Sequence, residues 1–281
     1  MGKSVVDIVR EAIDKVPPLS IVIDKVLKLA NDPATSAQSM AEMIQLDPIL
    51  TSKVLKLVNS SYFNVGQLHS LKQAIMVLGF NTIKNVAFST AILSKTAIKN
   101  NSIVSEEFWK HSFGVGATSK MIAELAGVDK QYPEDFFVAG LVHNIGAILI
   151  YNVFPDECAR MFEIAAENKL TSPRIEHDIL GLSHEEIGIA IGKKWSFEPN
   201  YLYAVGRHHH PVMEGPYSMF SMIVGAANYM VNTSGLSLFN DGFIAPLPET
   251  IWQKIGVDYS IILESMPKIA SEIEKARISL L

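Results

Sequence analysis

Cysteine is almost absent from this chain. Cys158 is the only one in 281 residues, so no internal disulfide can form, and the composition suits a reducing, cytoplasmic setting. Alternating apolar and polar runs of useful length are missing, as is any Asn-Gly signal between two such runs, which argues against a hairpin-based β fold. No long basic run occurs, and the net charge is -5, so a nucleic-acid backbone is a poor partner. The opening "MGKSVVDIVREAIDKV" carries Asp and Glu within its apolar pattern, unlike a signal peptide. Low-complexity tracts and fixed-period repeats are also lacking. What the chain has in plenty is apolar residues, 48% against 19% charged, enough to build a core.

One apolar stretch bears on the membrane question. Phe136 to Phe154, "FFVAGLVHNIGAILIYNVF", has no formal charge and approaches the ~20 residues that span a bilayer. His143, Asn144 and Asn152 interrupt it, and Lys/Arg asymmetry is missing from its flanks. The expectation is a buried central helix over Phe136 to Tyr151, with no membrane partner.

Helical periodicity runs almost throughout and predicts an all-α fold, a multi-helix bundle preceded by an N-terminal helical layer. Asp47 and Pro48 make an N-cap followed by proline at N1. Leu50, Val54, Leu57 and Val58 then repeat on one face and are expected in the core, with Leu78 and Phe88 near them. Leu55 lies off that face. Asn59, Ser60 and Tyr62 read as turn residues satisfying the helix end, or alternatively as part of a partner surface. Ser70 can cap a helix that Gly79 ends, and Asn81 can cap the next. Polar junctions at Ile98 to Glu107 and Ser234 to Glu249 divide the chain into an N-terminal half (1–100), a histidine-bearing half (101–233) and a C-terminal appendage (234–281).

Seven of the eight histidines follow residue 100. Several sit at helical offsets from small residues: His111 with Gly114, His143 with Gly140 and Gly146, His184 with Gly188. Glycine inside a helix costs ~1 kcal/mol relative to alanine. Its recurrence beside histidines predicts close backbone approach there. Two readings stay open. Each histidine is hydrogen-bonded separately in a tightly packed core, or the set shares one metal or ligand site.

"GLVHNIG" resembles the His-Asp doublet of the HD superfamily of metal-dependent phosphohydrolases. "WKHSFGVGATSKMIAE" resembles the helix bearing that family's first histidine, here His111. "EHDILGLSHEEIGIAIGKKWSFEPNYLYAVGRHHHP" is similar to its later histidine segments, here His184, His208 and His209. "VPPLS", "SMAEMIQLDPILTSKVLKLVNSSYF" and "SLKQAIMVLGFNTIKNVAFS" look like the N-terminal half of the HDOD domain, an HD-related branch of bacterial signalling proteins. The resemblance covers residues 15 to 233.

The departure from that pattern falls at its centre. The doublet's metal-binding aspartate is Asn144, and the later aspartate has its counterpart at Asn228, also neutral. An amide holds a divalent cation more weakly than a carboxylate and cannot help neutralise a two-metal cluster. The resemblance therefore implies a degenerate site of His111, His143, Asn144, His184, His208 and His209. It requires no cofactor and could accept a single Zn²⁺ or Fe²⁺. The expected role is a stand-alone, non-catalytic signalling module for a protein partner or a small nucleotide ligand. The competing role is a metal-dependent phosphohydrolase acting on nucleotides or cyclic dinucleotides. Three further readings are weaker. Cys158 has no histidine close in sequence, so it is a poor nucleophile, and "GVGATSK" lacks the full phosphate-loop spacing. The stretch from Lys72 to Ser89 could form a helix-turn-helix, but it would offer DNA only Asn81, Thr82, Lys84 and Asn85.

Overall fold

In the computed structural model, residues 4–30, 32–59, 63, 65–95, 102–129, 133–236, 243 and 245–280 are described. Among them the chain is helical, with no strand. It forms two compact units, one of residues 1–17 and 97–266, the other of 18–96 and 267–281. Helix α1 (Val5–Lys15) belongs to the first of these and packs on helices of the histidine-bearing half. Its last turn is held there by Lys194 Nζ, which donates to the carbonyls of Ile13 and Asp14 at 3.0 and 2.6 Å. Trp195 Nε1 donates to Pro17 O at 2.9 Å.

In the second unit, α2 (Ile21–Ala30), α3 (Ala37–Gln45) and α4 (Pro48–Val58) all pack on α5 (Leu71–Lys95). Helix α4 starts where its residues dictate. The Asp47 carboxylate accepts from the amides of Ile49 and Leu50, and Pro48 occupies the first turn. Leu50, Val54, Leu57 and Val58 are buried, as is Phe88, whereas Leu55 and Leu78 are only half-buried. Asn59 does end the helix. Its amide group also exchanges two hydrogen bonds with the Leu68 backbone, at 2.8 and 2.6 Å, closing the loop between them. Ser60 and Tyr62 lie outside the described residues. Helix α5 bends at Gly79, whose φ of 84° and ψ of 167° only glycine adopts readily. Of the side chains a helix-turn-helix would present, Thr82, Lys84 and Asn85 are buried and Asn81 is half-buried.

The histidine-bearing unit is built on α6 (Ser102–Leu125), which packs against α7 (Pro133–Val142) and α13 (Ser218–Thr233). Helix α6 passes straight through the segment Gly114 to Lys120. Helices α8 (Ile145–Val153), α9 (Pro155–Asn168), α10 (Ser172–Leu180), α11 (His184–Lys194) and α12 (Pro199–Arg207) complete the surround. Beyond them come α14 (Glu249–Ile255) and α15 (Tyr259–Leu280), the latter running into the other unit.

The expected single helix over Phe136 to Tyr151 is in fact two. His143 and Asn144 form a turn between α7 and α8, and Asn144 leaves helical geometry at φ -99°, ψ 19°. Periodicity alone could not locate that break, because the residues on both sides are equally apolar. Two segments are long and apolar enough by composition to cross a membrane, Leu71–Ile92 and Pro133–Val153. The second has 83% of its most apolar window buried inside the protein.

Candidate metal centre

The glycines beside the histidines mark main-chain crossings. A methyl group added at Gly140 of α7 would lie 2.7 Å from Gly116 Cα on α6. At Gly146 of α8 it would lie 2.0 Å from His184 O on α11, and at Gly225 of α13 it would lie 2.7 Å from His208 O. These contacts are to backbone, which cannot swing aside, so the helices cross where they do only because no side chain intervenes. The helix that carries Gly116 also carries His111, and Gly140 and Gly146 flank the doublet. The crossings therefore bring the imidazoles together.

Four imidazoles form a continuous buried chain. His111 Nε2 lies 3.3 Å from His143 Nε2, and the His143 and His208 rings meet edge to face at 4.8 Å. His208 Nε2 lies 3.2 Å from His184 Nε2. His209 joins at the far end, its ring 4.4 Å from that of His208 and 5.0 Å from that of His184. The ligand nitrogens of His184, His208 and His209 fall within 4.8 Å of one another. Two imidazole nitrogens on one tetrahedral ion lie roughly 3.3 Å apart, from bond lengths of about 2.0–2.1 Å. The close nitrogen pairs match that spacing, so this cluster could hold a metal ion.

Three of the rings, those of His143, His184 and His208, are oriented from behind. His143 Nδ1 donates to Gly140 O at 2.6 Å, and His208 Nδ1 to Val205 O at 3.0 Å. His184 Nδ1 donates to Glu176, 2.7 and 3.0 Å from its two oxygens, and the His184 amide donates to the same carboxylate at 2.7 Å. Carbonyl or carboxylate partners of this kind commonly fix the tautomer of metal-binding histidines. His184 is the first residue of α11 because Ser183 and Glu186 cap that helix reciprocally.

Asn144 is fully buried, and neither its amide oxygen nor its amide nitrogen has a hydrogen-bond partner among the described residues. Buried polar atoms are rarely left so. Asn228 is buried on α13 and accepts from Asn232 Nδ2 at 2.8 Å. Two functional candidates were not legible beforehand. Glu176 and Glu185 are both buried beside the imidazoles. Glu185 Oε1 accepts from the His209 amide at 3.2 Å and lies 3.7 Å from His208 Nδ1. The Ser-x-x-Glu spacing at 183–186 could have fixed the start of α11 and put Glu185 in its first turn. Glu176 depends on the turn through Gly181, which no local pattern gives away.

Cys158 lies on a small cavity of about 20 Å³ also lined by Tyr151, Met161, Ser172 and Glu176. Burial, with the charges of Glu176 and Glu157 adding to it, pushes its thiol up to about 12. A thiol so held is not a nucleophile near neutral pH.

The HDOD domain family matches residues 16–211. A protein of Treponema pallidum (strain Nichols), named only as uncharacterized, is 22% identical over 203 residues. The match takes in 72% of this chain but only 39% of that relative's length. Among solved structures, an HDOD domain protein of unknown function from Geobacter sulfurreducens superposes with a TM-score of 0.75 at 23% identity, covering 96% of this chain and 97% of that one. A provisionally named phosphohydrolase from Shewanella amazonensis SB2B gives 0.75 at 22%, covering 98% of both chains. At these identities the likeness carries the fold.

Proposed function

Since the chain belongs to the HDOD domain family, we propose that it is a non-catalytic regulatory module of bacterial signal transduction, acting in the cytoplasm through a protein partner. A small nucleotide is the second class of input. One observation carries this reading: five of the six candidate residues are sealed, His209 being half-buried. His111, His143 and Asn144 are 0% exposed, His184 1% and His208 2%. A phosphodiester has to touch the ion and the water that attacks it, and these side chains offer it no surface.

Charge supports the same reading. Two divalent ions 4 Å apart repel by about 17 kcal/mol at an effective dielectric of 20, which bridging anions normally offset. Asn144 contributes no charge to that balance. A single Zn²⁺ or Fe²⁺ on the imidazoles would instead act as a cross-link between helices. The other unit exposes Leu46, Ile49, Met76 and Val77, large apolar side chains of the kind that protein partners cover.

The competing phosphohydrolase reading makes an opposite prediction. The purified chain, supplied with Mn²⁺, Mg²⁺ or Fe²⁺, is offered cyclic dinucleotides, nucleotides and a generic phosphodiester. We expect no turnover of any of them. Turnover that His143→Ala abolishes overturns the proposal. Activity appearing only in Asn144→Asp ties the silence to the amide.

A further inference from the structure

His184 and His208 face each other through Nε2 at 3.2 Å. In both rings the other nitrogen is already committed. His208 Nδ1 points at the carbonyls of Val205 and Ala204, at 3.0 and 3.2 Å. His184 Nδ1 points at the Glu176 carboxylate at 2.7 Å. Carbonyls and carboxylates only accept, so both Nδ1 atoms carry the proton. Each neutral ring then turns a lone pair on the other. No choice of tautomer relieves this, and a positive charge at the pair does.

The His111–His143 pair presents no such conflict. His143 Nδ1 donates to Gly140 O at 2.6 Å, so its Nε2 accepts. His111, protonated at Nε2, donates to it across 3.3 Å. Tautomers alone satisfy that pair. The demand for a cation is therefore local to the other end of the cluster, where a third imidazole and both buried carboxylates lie. Glu176 faces His184, while Glu185 lies 3.7 Å from His208 Nδ1 and accepts from the His209 amide at 3.2 Å. A buried divalent ion needs that compensation, because its desolvation is not repaid by neutral ligands alone.

We propose that Glu176 and Glu185 supply the negative charge missing at Asn144 and Asn228, and so make the His184–His208–His209 end the seat of one divalent cation of the Zn²⁺ or Fe²⁺ class. Glu176 is the positioning residue: it fixes the His184 tautomer that aims Nε2 at the ion. The cation seat thus shifts away from the doublet, to a place where a carboxylate is available. The inference goes beyond the functional reading, since a bound structural ion is compatible with a regulatory module.

The full-length chain is stripped with a chelator, and Co²⁺ is titrated in by visible absorption. Zn²⁺ affinity is measured by competition with a chromophoric chelator. Wild type takes up one equivalent. Glu176→Gln, which keeps shape and removes charge, weakens binding about 10- to 100-fold and alters the Co²⁺ spectrum. His209→Gln weakens it by at least about tenfold, whereas His111→Gln leaves affinity within about threefold. Far-UV circular dichroism and melting of each metal-free variant establish that it folds. If Glu176→Gln does not, Glu185→Gln is expected to weaken binding in the same direction and takes its place.

The proposal is overturned by a wild type that binds no equivalent, the facing pair then being held by a shared proton. It is equally overturned by a carboxylate variant with unchanged affinity, or by His111→Gln losing as much as His209→Gln. Binding, not turnover, is read here. Failure leaves the non-catalytic reading standing, and hydrolysis by the wild type refutes that reading without touching this one.

Discussion

At the scale of single residues, Asn144 is where the sequence departs from the His-Asp doublet it resembles. Its buried amide has no partner among the described residues, so the site already tolerates an unmet polar group. A carboxylate in the same place is costlier, since burying an uncompensated charge costs several kcal/mol. Asn144→Asp is therefore expected to lower the melting temperature by several degrees in chelator. Added Zn²⁺ or Mn²⁺ should restore it, with a larger metal-induced rise than in wild type. Equal rises in the two proteins would mean that position 144 does not sense the ion. The six candidate residues were legible singly from motif and spacing. The acceptors behind them were not, because Glu176 meets His184 across a turn and Gly140 O meets His143 within one.

At the scale of elements, two glycines do different work and should fail differently. At Gly146 an added methyl meets the main chain of His184 and Gly188 at 2.0 and 2.6 Å. The ~1 kcal/mol that alanine gains in a helix is outweighed by overpacking, typically 1–3 kcal/mol and more against rigid backbone. Gly146→Ala should separate α8 from α11 and cut metal affinity along with stability. At Gly79 no atom lies within 4 Å of the added methyl, but the φ is +84°. Gly79→Ala should cost about 1–3 kcal/mol through strain alone and leave metal affinity unchanged. Chemical denaturation paired with Co²⁺ titration separates the two. Equal effects on affinity would show that the crossing at Gly146 does not hold the site. The sequence pattern predicted close approach at the histidine-flanking glycines, and at Gly140 and Gly146 the structure shows it. The break at His143 and Asn144 escaped it, since the apolar run continues equally on both sides of them.

At the scale of the whole molecule, stability should fall in alkali. Cys158 is held up to about 12 from an ordinary value near 9. Tyr201 is raised well above its usual 10, by burial first and then by the charges of Asp135 and Glu198. The folded state keeps these protons while the unfolded chain releases them. Their contribution is complete below about pH 9 and is lost as pH rises toward 12. Urea midpoints between about pH 8 and 11 should decline, and Cys158→Ala should flatten part of the decline. A wild-type midpoint that stays level across this range contradicts the assignment. The all-helical class was readable from periodicity, and the helix start at Asp47 and Pro48 from its cap. The attachment of α1 to the histidine-bearing unit was not, because it rests on Lys194 and Trp195 reaching carbonyls 178 to 181 positions away. The backbone crossings have a consequence for descent. Because glycines, rather than the ligands themselves, hold the helices in register, losing one ligand does not undo the scaffold. Asparagine and aspartate codons differ by a single base. A scaffold of this kind can therefore gain or lose the carboxylate of the doublet in one mutational step, keeping the fold throughout.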